Sequence, residues 1–461
     1  MSEHEGLLAD LLSALGPANC SSDPEVVASY STDWTGRFGG QALAVARPGD
    51  AGEVRDLLEL ASRHQAALIP QGGNTGLVGA SVPRARLEDG RPQVLLSLTR
   101  LSGVEEVDVS GLQLLAGAGT TLAAAAEQAS RHGLGLGIDL SARASATLGG
   151  MAATNAGGLS VFRHGPMRER LRGIEAVLPD GSVVSELSGL AKDSVGWSPT
   201  ALFAGSEGTL AIFTKLIMRL VPLPRRRLVA LVAFSSLEEA LESAAAGREL
   251  LSSLESMELT LRAGMELAVS HFALPAPVGL KEGAGAWLTI ELAGSGDLES
   301  ELGALVGRHR PLSSAVASEA PLQERLWAYR ERQSEAVSRQ GVPHKLDVAV
   351  PAGRLAGLFA GLAERLAGLP SSELYIWAHL AESNLHVNVI GPPPEDQAVD
   401  DAVIDLVCEL GGSISAEHGV GIAKAGYLRR ARPPGNLALM QRVKAALDPE
   451  RLLNPGVLEP T

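Results

Sequence analysis

The sequence predicts an α+β protein of at least two domains. Its 461 residues exceed what one ordinary hydrophobic core accommodates, and 45% of them are hydrophobic. From residue 41 onward, strand-length apolar runs alternate with segments of helical periodicity. Residues 226–310 then follow the order β-α-β-β-α, which is typical of a ferredoxin-like layer.

The sequence of the N-terminal half predicts a short helical arm followed by a first domain. Residues 1–35 are expected to form a helical arm, because the leucines of "EGLLADLLSAL" recur at helical spacing. The strand "ALAVARP" precedes a helix, "DAGEVRDLLELASRHQ", for which Asp50 is the expected N-cap. Further strands are predicted at "AALIPQGG", 93–98, 112–119 and 171–184. The first domain is expected to span 36–224 and to end at a proline-flanked boundary.

The C-terminal half predicts a second domain over 225–425. Ser236 and Glu239 form a capping box for a helix to about residue 251, after the strand "RRLVALVAFS". Strands are expected at "ESMELTL", "GAWLTIELAG" and "KLDVAV", and a helix at "LQERLWAYRERQSEAVSR". The strand-like "ELYIWAHLAESNLHVNVI" follows. Residues 426–461, with the helix "NLALMQRVKAALD", are expected to return to the first domain.

Charge and hydropathy exclude several classes of partner. A net charge of −14 argues against nucleic acid and anionic membranes. No apolar run approaches the roughly 20 residues that span a bilayer. The acidic start lacks the basic region of a secretory or transit peptide, so a soluble cytoplasmic protein is expected. Cys20 and Cys408 lie far apart, and we expect them to be reduced packing residues.

Two glycine-rich loops are the first candidate for chemistry. They are "PQGGNTGLVG" (70–79) and "SATLGGMAATNAGG" (145–158), and neither a P-loop nor a Rossmann motif occurs anywhere in the chain. Adjacent glycines beside Asn and Thr allow several backbone N–H groups to converge on one anion. Two such loops suit the two phosphates of a diphosphate. The alternative is that they are ordinary turns or a linker, although linkers are seldom this apolar.

A second candidate is the concentration of imidazoles and amides in the C-terminal half. "HLAESNLHVNV" carries two histidines and two asparagines, and "SAEHGVG" adds Glu417 and His418. The strand period places His386 and Asn388 on one face, whereas His379 joins them only if "AESN" bends. Two imidazoles and a carboxylate are a normal ligand set for zinc or another divalent ion. A hydrogen-bonded polar cluster that supports the loops is the alternative.

A third candidate lies upstream, in "YRERQSEAVSRQGVPHKLDVAVP". Arg330 and Ser334 are four residues apart on a predicted helix and therefore share a face. Lys345 begins the next strand, so that all three side chains can meet at one anionic group. The alternative is a solvated, charged helix.

The glycine loops, together with "RGIEAVLPDGSVV" and "LFAGSEGTLAIFT", resemble the FAD-binding half of the vanillyl-alcohol oxidase and D-lactate dehydrogenase superfamily. The resemblance implies a two-part FAD-binding domain of the vanillyl-alcohol oxidase type that holds FAD non-covalently. The residues implied for the cofactor are Pro70, Gln71, Gly72, Gly73, Asn74, Thr75, Gly76, Gly79, Ser81, Asp139, Ser145, Thr147, Gly149, Gly150, Asn155, Gly157, Gly158, Glu207, Gly208, Ile212 and Asn454.

The C-terminal half resembles the D-2-hydroxyacid dehydrogenases of that superfamily, particularly the D-2-hydroxyglutarate dehydrogenases. The chain departs from their pattern at Ala381, Glu382 and Ser383, where Gly-Asp-Gly is usual. The resemblance implies a divalent metal, expected to be zinc, and a catalytic base, His418. The metal ligands that it implies are His379, His386 and Glu417. The substrate-binding residues that it implies are Arg330, Ser334, Lys345 and Asn388.

The function expected from this resemblance is FAD-dependent oxidation of a D-2-hydroxy acid, best D-2-hydroxyglutarate, to the 2-oxo acid. Hydride would pass to the flavin and then to a quinone or an electron-transfer flavoprotein. A D-lactate or glycolate dehydrogenase uses the same apparatus and stays open. So do a metal-dependent hydrolase without flavin, a flavin-binding protein without turnover, and assembly as a homodimer.

Overall fold

The computed structural model describes residues 3–369 and 371–460 and divides them into two compact units. The first unit comprises the described residues up to Gly158, His164–Leu223 and the described residues from Glu417 onward. The second comprises Leu159–Arg163 and Pro224–Ala416. The N-terminal arm is thus part of the first unit, and the C-terminal return begins at Glu417, ahead of residue 426. Residues 1, 2 and 461 of these predicted segments lie outside the described residues.

The chain up to Leu223 forms three sheets among the described residues, in the orders β1-β2-β4-β3, β5-β6-β10-β8-β9 and β11-β7. Its strands are β1 (Cys20–Ser21), β2 (Ala44–Ala46), β3 (Ala67–Gln71), β4 (Gln93–Ser97), β5 (Val104–Asp108), β6 (Gln113–Gly117), β7 (Leu134–Gly135), β8 (Leu171–Val177), β9 (Val183–Ser185), β10 (Ile212–Arg219) and β11 (Val221–Pro222). Its helices are α1 (Glu3–Leu15), α2 (Pro24–Ser31), α3 (Ala51–Arg63), α4 (Leu122–Ser130), α5 (Leu148–Thr154), α6 (Val161–His164), α7 (Met167–Arg170) and α8 (Pro199–Phe203).

Two cores position the glycine loops within this unit. Strands β2, β3 and β4 are parallel, and the apolar face of α3 packs on them through Val54, Leu57 and Leu58. Asp50 caps α3 by accepting the N–H of Glu53 at 2.8 Å, as predicted. The antiparallel five-stranded sheet supports α5 through a second core that includes Leu148. The first glycine loop therefore leaves β3, and the second leads into α5.

The second unit is built on a seven-stranded antiparallel sheet of order β15-β12-β14-β13-β17-β18-β16. Its strands are β12 (Arg226–Phe234), β13 (Leu254–Leu261), β14 (Ala286–Gly294), β15 (Ser313–Ala317), β16 (His344–Ala349), β17 (Glu373–His379) and β18 (Asn384–Ile390). Its helices are α9 (Leu237–Leu250), α10 (Arg262–Phe272), α11 (Leu298–His309), α12 (Ala320–Glu331), α13 (Gln333–Ser338), α14 (Leu355–Leu366) and α15 (Gln397–Glu409). The predicted α+β class is confirmed.

Two details of this unit differ from the sequence expectation. Helix α10 lies between β13 and β14, where no helix was predicted, and its N-cap residue, Leu261, makes no side-chain capping hydrogen bond. The single helix expected over 322–339 is divided into α12 and α13 at Arg332.

After Glu417 the chain adds two helices to the first unit, α16 (Leu428–Ala431) and α17 (Pro434–Leu447).

The segment "ELYIWAHLAESNLHVNVI" folds as a hairpin of β17 and β18. The chain reverses between His379 and Asn384, which pair directly across the ladder, and Ser383 takes a left-handed φ of 61° in the turn. This is the bend that had to occur if both histidines were to share a face. Because residues paired directly across a ladder point to the same side, His379 and His386 lie on one face of the sheet.

Candidate active site

The two glycine loops of the first unit line one cleft. It contains about 570 Å³ of empty space, part of it open to solvent. Nine residues implied for the cofactor line it: Pro70, Gly72, Ser81, Thr147, Gly149, Gly150, Glu207, Gly208 and Ile212. Sequence reasoning missed seven further lining residues, most of them small and apolar: Ala80, Leu98, Ala118, Ala153, Thr154, Ala211 and Phe213.

The glycines allow the two loops to approach each other closely. A Cβ on Gly73 would lie 1.8 Å from the carbonyl oxygen of Ser145, and one on Gly72 would lie 2.4 Å from Thr147 Oγ1. A Cβ at either position would force neighbouring atoms to move, because real Cβ atoms essentially never lie within 3.0 Å of a non-bonded atom. The glycine backbone of both loops, at Gly72, Gly149 and Gly150, forms part of the cleft wall. Backbone N–H groups at such a wall can donate hydrogen bonds to the oxygens of an extended diphosphate.

Several implied cofactor residues support the loops from behind instead of lining the cleft. Gln71 donates to the carbonyl oxygens of Tyr30 and Ser81, at 2.9 and 2.8 Å. Asn454 donates to the carbonyl oxygens of Ala80 and Glu207. The residues outside the lining are Gln71, Gly73, Asn74, Thr75, Gly76, Gly79, Asp139, Ser145, Asn155, Gly157, Gly158 and Asn454. Contact between FAD and these residues stays a prediction.

Glu207 lines the cleft, but its carboxylate binds a different segment of the first unit. Its two oxygens accept the backbone N–H groups of Val420 and Gly421 at 2.8 and 2.7 Å. Burial raises the pKa of this carboxyl, while the two N–H groups act in the opposite direction. In the same loop, His418 Nε2 lies 3.6 Å from Glu417 Oε1. Glu207 therefore holds the loop that carries the predicted base.

In the second unit, strand register gathers polar side chains on one face of the sheet. Lys345 pairs with Asn388, and Asp347 pairs with His386, across the β16–β18 ladder. His379 pairs with Glu258 across the β13–β17 ladder. All these residues lie on the same face, since the pairs connect through the β17–β18 ladder.

Glu258 joins two of the predicted site residues in a buried network. Its Oε1 lies 2.8 Å from His379 Nδ1, and its Oε2 accepts Arg330 Nε–H at 2.8 Å. The side chain of Glu258 is only 1% exposed. Although burial acts to raise the pKa of Glu258, His379 and Arg330 hold it below its usual value. Sequence reasoning missed Glu258 because nothing in "ESMELTL" distinguishes it from an ordinary strand residue.

The donor set on this face fits a divalent ion. Ligand atoms of His386 and Asp347 lie within 4.8 Å of each other, and the rings of His379 and His386 are 5.0 Å apart. Asn384 is 6% exposed, and its Oδ1 has no hydrogen-bond partner among the described residues. Imidazole nitrogens with carboxylate and amide oxygens are ligands that zinc and similar ions accept. Asp347 was not predicted as a metal ligand, although its alternation with Lys345 in "KLDVAV" places both side chains on one face of the strand.

The predicted substrate residues fall into two groups. Lys345 Nζ lies 3.5 Å from Ser334 Oγ and 3.3 Å from Ser338 Oγ, so that the ammonium and two hydroxyls form one cluster. Arg330 instead donates Nε–H to Glu258 and lies over the ring of Trp377. The break at Arg332 explains the separation, because Ser334 is on α13 and Arg330 on α12.

Glu382 occupies the loop that departs from the family pattern. Its Oε1 accepts the N–H of Phe162 at 2.6 Å, within the second unit. Burial, and next the charge of Glu258, raise the pKa of Glu382 to about 8. Glu382 therefore anchors the segment 159–163 and carries a proton at neutral pH.

Comparison with known proteins decides the family. The family profile "FAD binding domain" matches residues 42–186, and "FAD linked oxidases, C-terminal domain" matches residues 223–458. The chain belongs to the FAD-linked oxidases. It is 35% identical to "D-2-hydroxyglutarate dehydrogenase, mitochondrial" of Bos taurus, over 96% of this chain and 82% of that protein. It is 34% identical to "D-2-hydroxyglutarate dehydrogenase" of Xanthomonas citri pv. viticola, over 98% and 96% of the two chains.

A solved structure supports the fold of this FAD-linked oxidase. p-Cresol methylhydroxylase with substrate bound superposes with a TM-score of 0.80 at 16% identity, covering 100% of this chain and 97% of that one. The predicted fold of the vanillyl-alcohol oxidase type and the predicted enzyme class, a FAD-dependent D-2-hydroxyacid dehydrogenase, are confirmed. None of the described helices is long and apolar enough to cross a membrane. The cytoplasmic location, the electron acceptor and the homodimer stay predictions.

Proposed function

We propose that the protein oxidises D-2-hydroxyglutarate to the corresponding 2-oxo acid. The observation that carries this choice of substrate is the placement of Lys345 on β16. Lys345 and Asp347 are two residues apart on one face of the strand, a separation of about 7 Å. A five-carbon dicarboxylate has the length to place one carboxylate at the Lys345 cluster and its hydroxyl end beside Asp347 and His386. Relatives that carry the name of this activity support the proposal.

FAD, a divalent metal and His418 would each supply one part of the reaction. FAD would accept the hydride of C2, and a divalent metal held by His379, His386 and Glu417 would lower the pKa of the 2-hydroxyl. His418 would accept the hydroxyl proton, because an imidazole titrates near neutrality and suits a general base.

The remaining residues would bind and orient the substrate. Lys345 and Ser334 would hold the distal carboxylate by charge and hydrogen bonds, and correct orientation can account for several kcal/mol of the barrier. Asn388 is buried directly across from Lys345 and would limit the space beside that carboxylate. Glu258 accepts the hydrogen bond from Arg330 Nε–H. Only the terminal N–H groups of this guanidinium would therefore bind a substrate.

Steady-state turnover tests the proposal. Purified protein supplied with FAD, zinc and an artificial electron-accepting dye is assayed with D-2-hydroxyglutarate, its L-isomer, D-lactate and glycolate. We expect the highest kcat/KM for D-2-hydroxyglutarate and no turnover of the L-isomer. A higher kcat/KM for D-lactate or glycolate would overturn the choice of substrate.

A further inference from the structure

We propose that Glu258 is the positioning residue of His379. Its carboxylate holds the imidazole in the tautomer that carries hydrogen on Nδ1 and leaves the lone pair on Nε2. The inference rests on the proposed function, in which His379 is a metal ligand. A ligating imidazole needs a bare nitrogen, and a carboxylate on the other nitrogen is a common way to provide one.

The geometry gives each oxygen of Glu258 one partner. Oε1 lies 2.8 Å from His379 Nδ1, and Oε2 lies 2.8 Å from Arg330 Nε. Glu258 and His379 are paired directly across the β13–β17 ladder, so the backbone sets the distance between them. The side chains of Glu258, His379 and Arg330 are 1%, 8% and 10% exposed, which keeps water from replacing these contacts.

The chemistry of the three groups then determines where the hydrogen lies. Arg330 only donates, so Oε2 must accept. Glu258 forms an ion pair with Arg330, whose guanidinium is always charged, and an ionised carboxylate has no hydrogen to give. The hydrogen between Oε1 and His379 is therefore on Nδ1. In a neutral imidazole with one hydrogen, the lone pair is then on Nε2.

The substitution Glu258→Gln should reverse this arrangement. The Gln carbonyl oxygen must accept from Arg330, because Arg330 has no acceptor to offer the amide. The amide NH₂ then faces His379 Nδ1, which has to accept. The hydrogen moves to Nε2 and blocks the nitrogen that the metal needs. A merely structural role for Glu258 predicts no such reversal.

Glu291 provides the matched control. It lies on β14 of the same sheet, is 9% exposed, pairs with Arg227 and accepts Trp327 Nε1–H at 3.1 Å. Glu291→Gln likewise removes a buried carboxylate that is bonded to an arginine, and its partners Arg227 and Trp327 are not histidines.

The direct measurement is the ¹⁵N spectrum of the imidazoles in full-length, zinc-free protein with FAD, labelled at histidine. His379→Gln identifies the His379 signals. We expect hydrogen on Nδ1 in the wild type and in Glu291→Gln, and hydrogen on Nε2 in Glu258→Gln. Hydrogen on Nε2 in the wild type, or an unchanged tautomer in Glu258→Gln, would overturn the inference. The wild-type spectrum decides even if Glu258→Gln does not fold.

A calorimetric titration with zinc provides the second readout. We expect Glu258→Gln to bind zinc about 10- to 100-fold more weakly than the wild type, and Glu291→Gln to bind it equally well. Equal affinity in Glu258→Gln would contradict the inference. Zinc affinity that is insensitive to His379→Gln would instead refute the metal site of the proposed function, while the tautomer result still decides the role of Glu258.

Discussion

The carboxylate of Glu207 accepts the backbone N–H of Gly421 at 2.7 Å, across 214 residues of sequence. Glu207 also lines the cleft of the glycine loops, where it adopts a left-handed φ of 51°. His418 lies only three residues before Gly421 in the chain. This contact ties the loop of the proposed base to the wall of the glycine-loop cleft.

Glu207→Ala should therefore slow the chemistry without preventing FAD binding. The substitution leaves two buried N–H groups without an acceptor, each at a cost of about 1–3 kcal/mol, and the loop shifts. We expect the rate of flavin reduction to fall about 10- to 100-fold in anaerobic stopped-flow experiments. Glu207→Gln, which keeps one acceptor oxygen, should be intermediate. A wild-type rate in Glu207→Ala would disprove the role of this carboxylate.

His418→Ala tests the proposed base. The variant has no group to accept the hydroxyl proton, so flavin reduction by D-2-hydroxyglutarate should fall by a factor of about 10² to 10⁴. The bound flavin should stay, because His418 is not among the residues that line the cleft. Stopped-flow absorbance measures the rate and the resting spectrum measures the bound flavin. Normal reduction would refute the assignment.

Lys345→Met tests the distal carboxylate site. Losing a charge-assisted hydrogen bond should lower kcat/KM for D-2-hydroxyglutarate about 10- to 100-fold. D-lactate has no second carboxylate, so its kcat/KM should not change. Lys281→Met, at an exposed position of the same unit, is the control and should behave as the wild type. An equal loss with both substrates would show that Lys345 serves another purpose.

Gly73→Ala tests the close approach of the two loops. A methyl group 1.8 Å from the carbonyl oxygen of Ser145 cannot be accommodated without moving backbone. We expect the purified variant to have lost most of its FAD and to melt at a lower temperature. Gly303→Ala adds a methyl group with nothing within 4 Å, at an exposed position of α11, and should retain FAD. Full FAD content in Gly73→Ala would contradict the geometry of the cleft.

The free energy of unfolding of the metal-free protein should decrease as pH rises, because Glu382 has a raised pKa in the folded state. The pKa of its carboxyl is raised to about 8 in the folded chain, from the ordinary 4.5 of a glutamate side chain. Between these values the unfolded chain releases a proton that the folded chain keeps, so unfolding becomes easier by at most about 1.4 kcal/mol per pH unit. Glu382→Gln should flatten this decline. Urea unfolding from pH 5 to pH 8 measures it, and equal slopes in both proteins would exclude Glu382 as the cause.

Local signals were sufficient for much of the fold and for part of the site. Asp50 caps α3 as its position before the apolar periodicity indicates. The alternation in "LHVNV" correctly placed His386 and Asn388 on one face, and the hairpin turn then brings His379 to the same face. These predictions succeeded because each depends on a few neighbouring residues.

Features that depend on distant pairing could not be predicted. Glu258 lies 121 residues before His379 and contacts it only because β13 and β17 are neighbours in the sheet. The contact of Glu207 with Gly421 likewise requires the tertiary fold. Helix α10 was missed because no side-chain cap precedes Arg262.

All of the proposed site assignments depend on the transfer of a hydride from D-2-hydroxyglutarate to a flavin bound by this protein. The most direct test is the visible spectrum of the FAD-loaded wild type during anaerobic titration with D-2-hydroxyglutarate, its L-isomer, D-lactate and glycolate in turn. We predict that D-2-hydroxyglutarate bleaches the flavin band and that the L-isomer does not. Bleaching by D-lactate or glycolate alone would refute D-2-hydroxyglutarate as the substrate, and no flavin band after addition of FAD would refute the flavin reaction itself.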